Sequence, residues 1–190
     1  LMIKIGILGD IGSGKSYVAK NFGYPVFNAD AEVGKLYRKD RKICNELKKI
    51  LPKYIHSFPI NKNEISNAIL VNKSNLKKII AIVHIEIKKK MNIFLKKNKN
   101  KKIIILDIPL LLENKINKKT DILVFVKSKR LEILKRLKKR KNFNAKLLGK
   151  FREIQLSLDY KKKKSQFIVN NNFTRRSIKK DINNILKQII

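Results

Sequence analysis

A glycine-rich stretch near the start of the chain has residue types suited to holding phosphate groups. Residues 9–16 read GDIGSGKS, a glycine, four further residues and then Gly-Lys-Ser. In such a loop the backbone N–H groups point at phosphate oxygens, the lysine reaches the β and γ phosphates, and the serine hydroxyl ligates Mg²⁺. An apolar run precedes the loop and a helical pattern follows it, as this site requires. The sequence therefore predicts a site for a nucleoside triphosphate with Mg²⁺.

Two arginines four residues apart, Arg136 and Arg140, lie in a segment with a helical pattern, which would place both on one helix face. Guanidinium groups pair well with phosphate oxygens, so the two could close over a triphosphate as a lid. The alternative is that they are two more solvated cations. The loop alone does not separate a kinase from other nucleotide-binding proteins, because a transferase also needs a second substrate pocket.

The elements that position these side chains are predicted by apolar periodicity. Strands are expected at residues 3–8, 25–28, 101–109, 121–127 and 165–170. Helices are expected near 14–22, 129–141 and 174–190. Because continuous apolar strands alternate with helices, we predict an α/β fold with a five-stranded parallel sheet covered on both faces.

The strand pattern disappears between residues 31 and 100, where helices are expected, including a long one at about 74–97. The length favours one domain, 1–190. It would have a core of 1–30 and 101–190, a helical substrate-binding insertion at 31–100 and a lid at about 136–160.

The chain is strongly basic, with 47 Lys and Arg against 14 Asp and Glu and a formal net charge of +33. Such a charge suits nucleic acid, since phosphate neutralisation dominates that binding. However, the lysines are spread over nearly every predicted helix, and no basic stripe alternates with stacking rings. We interpret the charge as a solvated surface and expect no specific nucleic-acid partner.

Further features bear on location. The longest apolar runs fall far short of the roughly 20 residues of a membrane span, so no membrane partner is expected. Lys4 interrupts the first apolar run and no small-residue cleavage site follows, which favours a core strand over a signal peptide. Cys44 is the single cysteine, which fits a cytoplasmic location.

Several segments have the types and order found in the dephospho-CoA kinase family, which the chain resembles over nearly its whole length. They are GILGDIGSGKSYVAKNF (6–22), VFNAD (26–30), His84, LDIPLLLEN (106–114), TDILVFV (120–126), RLKKR (136–140), EIQLSL (153–158) and FIVNNN (167–172). The resemblance implies a P-loop kinase with a helical CoA domain and a lid. It also implies transfer of the γ-phosphoryl group of ATP to the ribose 3′-hydroxyl of dephospho-CoA.

The resemblance implies roles for particular residues. The catalytic residues would be Asp30, Lys15 and Arg140. ATP would be held by Asp10, Ile11, Gly12, Ser13, Gly14, Lys15, Ser16, Tyr17, Arg136, Asn171 and Asn172, with Ser16 as the Mg²⁺ ligand. The acceptor would be held by Asp30, His84, Asp107 and Pro109. The partner is a small molecule, and a monomer or weak homo-oligomer is expected.

Four of these assignments have structural alternatives. Asp30 is either the base that receives the acceptor proton or the N-cap of the next helix. Asp107 lies either beside Mg²⁺ or at the cap of the segment that follows. Asn171 and its neighbour line the adenine pocket or form a simple turn. His84 lines the substrate pocket or is a hydrogen-bonded, half-buried histidine.

The chain departs from the family pattern at several positions, which bear mainly on the lid and the adenine site. They are Asn28, Ile85, Ile133, Leu158, Ser165, Gln166 and Phe173. Two other functions remain as hypotheses, a different small-molecule or nucleotide kinase and a nucleic-acid-associated P-loop ATPase.

Overall fold

The computed structural model describes residues 2–190. Within them lie five strands, β1 (Ile3–Gly9), β2 (Val26–Asn28), β3 (Ile103–Asp107), β4 (Ile122–Lys127) and β5 (Phe167–Asn170). They form one sheet in the order β2-β3-β1-β4-β5, and every neighbouring pair is parallel. The predicted α/β fold with a five-stranded parallel sheet is therefore confirmed.

Nine helices lie within the same residues. They are α1 (Lys15–Asn21), α2 (Ala29–Lys39), α3 (Arg41–Ile50), α4 (Lys62–Val71), α5 (Lys73–Lys97), α6 (Arg130–Lys138), α7 (Ala145–Glu153), α8 (Leu158–Lys164) and α9 (Arg175–Ile189). The helices predicted near 14–22, 74–97, 129–141 and 174–190 correspond to α1, α5, α6 and α9. No helix within residues 2–190 combines the length and apolarity needed to cross a bilayer.

One face of the sheet carries the main apolar core. Side chains of β1, β3, β4 and β5 pack there with α1 and α9, and all of the following are at most 3% exposed: Ile5, Ile7, Val18, Ala19, Phe22, Ile103, Ile105, Val124, Val126, Val169, Ile178, Ile182 and Ile185. Because both faces are covered, the strands read as nearly continuous apolar runs rather than as alternating ones. This burial fixes the sheet whose carboxyl edge supports the site.

Packing divides the chain into two compact units. The first unit runs to Asn28 and includes Leu95–Phe143 and Gln155–Ile190, so it holds the whole sheet. The second unit consists of Ala29–Phe94 and Asn144–Ile154. Residues 144–154 thus belong to the second unit, although they fall within the lid predicted at about 136–160. The exact boundaries of the insertion and the lid stay predictions.

The second unit is held together by its own interactions. Asp40 caps α3, where its Oδ1 accepts a hydrogen bond from the Ile43 N–H at 3.0 Å. The Glu64 carboxylate on α4 accepts hydrogen bonds from Ser57 Oγ at 2.7 Å and from the His56 and Ser57 N–H groups at 3.1 Å. Partial burial raises the pKa of Glu64, but these hydrogen bonds outweigh that effect and the net pKa is below its ordinary value.

Candidate functional site

The glycine-rich loop connects β1 to α1 at the carboxyl edge of the sheet. Its lysine folds back over the loop, where Lys15 Nζ donates to the Gly9 carbonyl at 3.2 Å and to the Asp10 carbonyl at 2.8 Å. The Asp10 carboxylate accepts from the Ile11 N–H at 2.7 Å. The loop is therefore closed on itself, with a cation across its mouth.

Two glycines leave no room for a side chain behind the loop. Gly12 and Gly14 have left-handed φ values of 85° and 90°. A Cβ at Gly12 would lie 2.9 Å from Leu137 Cγ, and a Cβ at Gly14 would collide with Asn171 Nδ2. A side chain at either position is therefore excluded, and the glycine backbone keeps the left-handed conformation of a phosphate-binding loop.

Helix α6 covers the outer side of the loop. Ile133 and Leu137 are each 3% exposed, and both approach the Cβ position of Gly12. Ile133 is one of the departures from the family pattern, and here it serves as apolar packing against the loop.

A polar cluster lies where β2 and β3 end beside the loop. Asn28 and Asp107 are register partners at the carboxyl ends of the two strands. Asn28 Nδ2 donates to Asp107 Oδ2 at 2.5 Å and lies 3.4 Å from Ser16 Oγ. Ser16 is exposed and Asp107 is 3% exposed. A serine hydroxyl and a carboxylate are oxygen donors of the kind Mg²⁺ prefers, so the residues fit the ion.

The cluster also explains why an amide suits position 28. The Asn28 amide donates to the buried Asp107 carboxylate, whereas a carboxylate at position 28 would bring two like charges together. Within residues 2–190, no three His, Cys, Asp or Glu side chains group closely enough to hold a metal by themselves. A cation here would therefore depend on the phosphates of the nucleotide as well.

Two alternatives from the sequence analysis are wrong. Asp30 is not an N-cap, because α2 begins at Ala29 and Asp30 lies exposed inside its first turn. Asp107 does not cap a helix, because the chain after β3 runs through turns up to Lys115. Pro109 lies half-buried in these turns.

The prediction that Arg136 and Arg140 share one helix face is also wrong. Helix α6 ends at Lys138, and Arg140 follows in the next turn, where its N–H donates to the Leu137 carbonyl at 3.0 Å. Arg136 remains on α6, and its guanidinium carbon lies 4.3 Å from the centre of the Phe173 ring. Both arginines are exposed.

The asparagines after β5 make contacts within the protein. Asn171 is 2% exposed; its Nδ2 donates to the Ser13 carbonyl at 2.9 Å and its Oδ1 accepts from the Phe173 N–H at 2.8 Å. Asn172 Oδ1 accepts hydrogen bonds from the Thr174 N–H and hydroxyl at the start of α9. Asn172 therefore forms a turn, as its structural alternative predicted. Their proposed contacts with adenine stay predictions.

The remaining predicted residues are placed as follows. Tyr17 is 41% exposed on α1. His84 is half-buried on α5 in the second unit. Its side chain has no hydrogen-bond partner among residues 2–190. Its substrate role therefore stays a prediction, and only the half-buried part of the alternative is confirmed.

A buried ion pair between Lys161 and Glu113 was not predicted from the sequence. Lys161 Nζ lies 2.8 Å from Glu113 Oε1 and 2.9 Å from Gln155 Oε1, and its side chain is 1% exposed. Glu113 Oε1 also accepts from the Leu156 N–H at 2.9 Å. Lys161 lies in a run of four lysines, and no local pattern distinguishes it from the other three.

Comparison with known proteins gives one consistent result. The sequence profile of the dephospho-CoA kinase family matches residues 3–176. A dephospho-CoA kinase of Wolbachia pipientis wMel is 31% identical over 190 residues, covering 97% of each chain.

Solved structures show the same fold. A Thermus thermophilus protein superposes with a TM-score of 0.78 at 23% identity, covering 100% of this chain and 98% of that one. A dephospho-CoA kinase from Campylobacter jejuni superposes with a TM-score of 0.62 at 19% identity, covering 98% and 96%.

Proposed function

Because the chain belongs to the dephospho-CoA kinase family, we propose that it transfers the γ-phosphoryl group of ATP to the ribose 3′-hydroxyl of dephospho-CoA. The products are coenzyme A and ADP. Family membership favours this activity over a different small-molecule kinase and over a nucleic-acid-associated ATPase. A cytoplasmic enzyme acting as a monomer or weak homo-oligomer is part of the proposal.

The nucleotide is assigned to the glycine-rich loop and the segments around it. Residues 10–17 hold the triphosphate, and Lys15 shifts its hydrogen bonds from the loop carbonyls to the β and γ phosphates. Mg²⁺, held by Ser16 beside the triphosphate, would compensate phosphate charge during transfer. Arg136, Arg140, Asn171 and Asn172 complete the proposed nucleotide site.

The acceptor is assigned to Asp30, His84, Asp107 and Pro109. The 3′-oxygen attacks the γ-phosphorus, the bond to the ADP oxygen breaks, and the hydroxyl proton passes to the Asp30 carboxylate. Such a reaction asks the protein mainly for positioning, charge compensation and a proton acceptor.

One observation carries the role of Asp30. It lies two residues after Asn28, the last residue of β2, whose amide bonds Asp107 and approaches Ser16. In parallel α/β sheets, ligands bind beyond the carboxyl ends of the strands. With the N-cap role removed, Asp30 is an exposed carboxylate two residues along the chain from the end of β2, which suits a proton acceptor.

Asp30→Asn tests the assignment. We expect kcat to fall by roughly 10²–10⁴, the usual contribution of a general base. ATP affinity should stay within about threefold, because the residue is assigned to the acceptor. Steady-state kinetics with dephospho-CoA and calorimetry with ATP measure the two quantities.

Glu32→Gln is the matched control, because Glu32 is the other acid in the first turn of α2. Its turnover should stay near that of the wild type. Equal turnover in both variants would show that Asp30 is not the base. A substrate panel of dephospho-CoA, shikimate, dTMP, AMP and gluconate tests the acceptor itself, and ADP formation with one of the others alone would overturn the proposed activity.

A further inference from the structure

The Ser13 carbonyl, at the back of the glycine-rich loop, is held by two side chains that belong to neither the loop nor α1. Ser128 Oγ donates to it at 2.9 Å, and Asn171 Nδ2 donates to it at 2.9 Å. The two donors come from different strands, since Ser128 follows β4 and Asn171 follows β5. We propose that Ser128 and Asn171 are positioning residues that fix the peptide between Ser13 and Gly14 for phosphate binding; the proposal rests on the function proposed above.

Peptide geometry links the Ser13 carbonyl to the N–H group of the next residue. In a planar trans peptide the C=O and the N–H point in opposite directions, so a carbonyl held from behind directs the next N–H forward. That N–H belongs to Gly14, and within residues 2–190 the structure shows it no hydrogen-bond acceptor. An N–H directed into the loop and without a protein partner is the group that a phosphate oxygen takes up.

We call the Ser128 and Asn171 side chains the clamp, and two further hydrogen bonds hold Asn171 in place. The Asn171 N–H donates to the Lys127 carbonyl at 2.8 Å, and Asn171 Oδ1 accepts from the Phe173 N–H. The second bond requires the oxygen of the amide to face Phe173, so the NH₂ group faces Ser13. The order of the strands brings both side chains to the loop. Strands β1, β4 and β5 are neighbours, and Gly9 at the end of β1 pairs with Val126, the residue before the last one of β4.

A left-handed glycine makes this support necessary. Gly14 has φ of 90°, and as a glycine it could adopt other backbone conformations at little cost. Hydrogen bonds to the preceding carbonyl select one orientation before the nucleotide arrives. Preorganisation of this kind improves affinity by reducing the ordering that binding requires.

The test measures Mg·ATP binding to the full chain by calorimetry, for the wild type, Ser128→Ala, Asn171→Ala and the double variant. Each single change should weaken ATP binding by about threefold to tenfold, the usual worth of one hydrogen bond. The double variant should lose more than the product of the two, because either bond alone still orients the carbonyl.

Three controls separate positioning from general damage. Ser128→Thr keeps the hydroxyl and should bind ATP within about twofold of the wild type. Ser57→Ala removes a hydroxyl hydrogen bond of similar length, 2.7 Å to the Glu64 carboxylate, in the unit that does not contain the loop, and should not change ATP binding. Melting temperatures of all variants report folding, and if Asn171→Ala does not fold, the Ala and Thr variants at Ser128 decide the question.

Inorganic tripolyphosphate distinguishes the clamp from a contact of Asn171 with the base. It has the phosphates without adenine, so the clamp predicts that its binding weakens as much as that of ATP. A loss for ATP alone, or ATP binding within twofold in both single variants, would overturn the proposal. Lys15→Ala serves as the reference for lost phosphate binding. Because the binding measurement does not use dephospho-CoA, failure of the clamp can be distinguished from failure of the proposed kinase activity.

Discussion

Replacing Lys161 with methionine removes one half of a buried ion pair and leaves the other half charged. The side chains of Lys161 and Glu113 are 1% and 9% exposed, with Nζ 2.8 Å from Oε1. Glu113 Oε2 is buried and has no hydrogen-bond partner within residues 2–190. After the change, the carboxylate would keep the Leu156 N–H but no cation.

The expected cost is large, because breaking a buried pair from one side typically costs about 3–5 kcal/mol. For a chain of this length each kcal/mol lowers the melting temperature by roughly 2–4 °C, so a fall of roughly 6–20 °C is expected. Lys135→Met is the matched control. Its pair with Glu132 is exposed, at 69% and 44%, and such pairs contribute at most about 1 kcal/mol.

Urea and thermal unfolding at pH 7 measure these differences. Adding Glu113→Leu to Lys161→Met should restore most of the stability, since an apolar pair of similar volume often replaces a buried ion pair without loss. Two results would contradict the stabilising role of this ion pair. One is a Lys161→Met variant no less stable than Lys135→Met, and the other is a double variant no more stable than Lys161→Met alone.

Three further predictions concern single side chains. Lys15→Ala should abolish ATP turnover while circular dichroism shows the fold intact, and a normal rate would contradict the phosphate-loop assignment. Arg140→Ala should lower turnover more than Lys139→Ala, because both changes remove one charge but only the guanidinium pairs in a bidentate way with phosphate; equal effects would indicate general charge loss. Glu64→Gln should destabilise the protein at pH 7 but not in acid: the folded pKa of Glu64 is lowered, so its stabilisation is present above the ordinary value of 4.5 and is lost as the pH falls through the lower folded pKa. Urea titrations from pH 3 to 7 test this, and a difference independent of pH would contradict it.

The sheet could be predicted because its strands are buried on both faces. The run IIIL at 103–106 is apolar at every position, and all four residues are at most 2% exposed in β3. The segment after β3 was harder to predict. Asp107-Ile-Pro-Leu resembles the start of a helix, but the chain forms turns there and buries Leu111 completely. Tertiary packing overrode the local pattern.

The candidate site was predicted only where the motif is local. The spacing of Gly9 to Ser16 is enough to identify the loop, because all of its parts are contiguous. The supports of that loop are not contiguous, since Ser128 and Asn171 meet at Ser13 only through the order of the strands. Likewise Lys161 finds Glu113 across 48 positions of sequence, and no periodicity reports such a pair.

The position of β1 in the sheet has a consequence for how the chain folds during synthesis. Ile3 pairs with Ile103 and Ile5 pairs with Ile122, so both neighbours of β1 are made about a hundred residues later. Synthesis proceeds at about 5–20 residues per second, so β1 is made roughly 5–20 s before either of the strands with which it pairs. Most of the second unit, Ala29–Phe94, is contiguous and emerges complete in that interval.

Helices with local contacts form quickly, whereas closing a loop of a hundred residues carries a greater entropic cost. We therefore expect the helical unit to form first, which shortens the flexible chain that separates β2 from β3. The glycine-rich loop takes its final shape only after β4 and β5 join β1, because its clamp residues follow those two strands. Nucleotide can stabilise the finished sheet but cannot help to nucleate it.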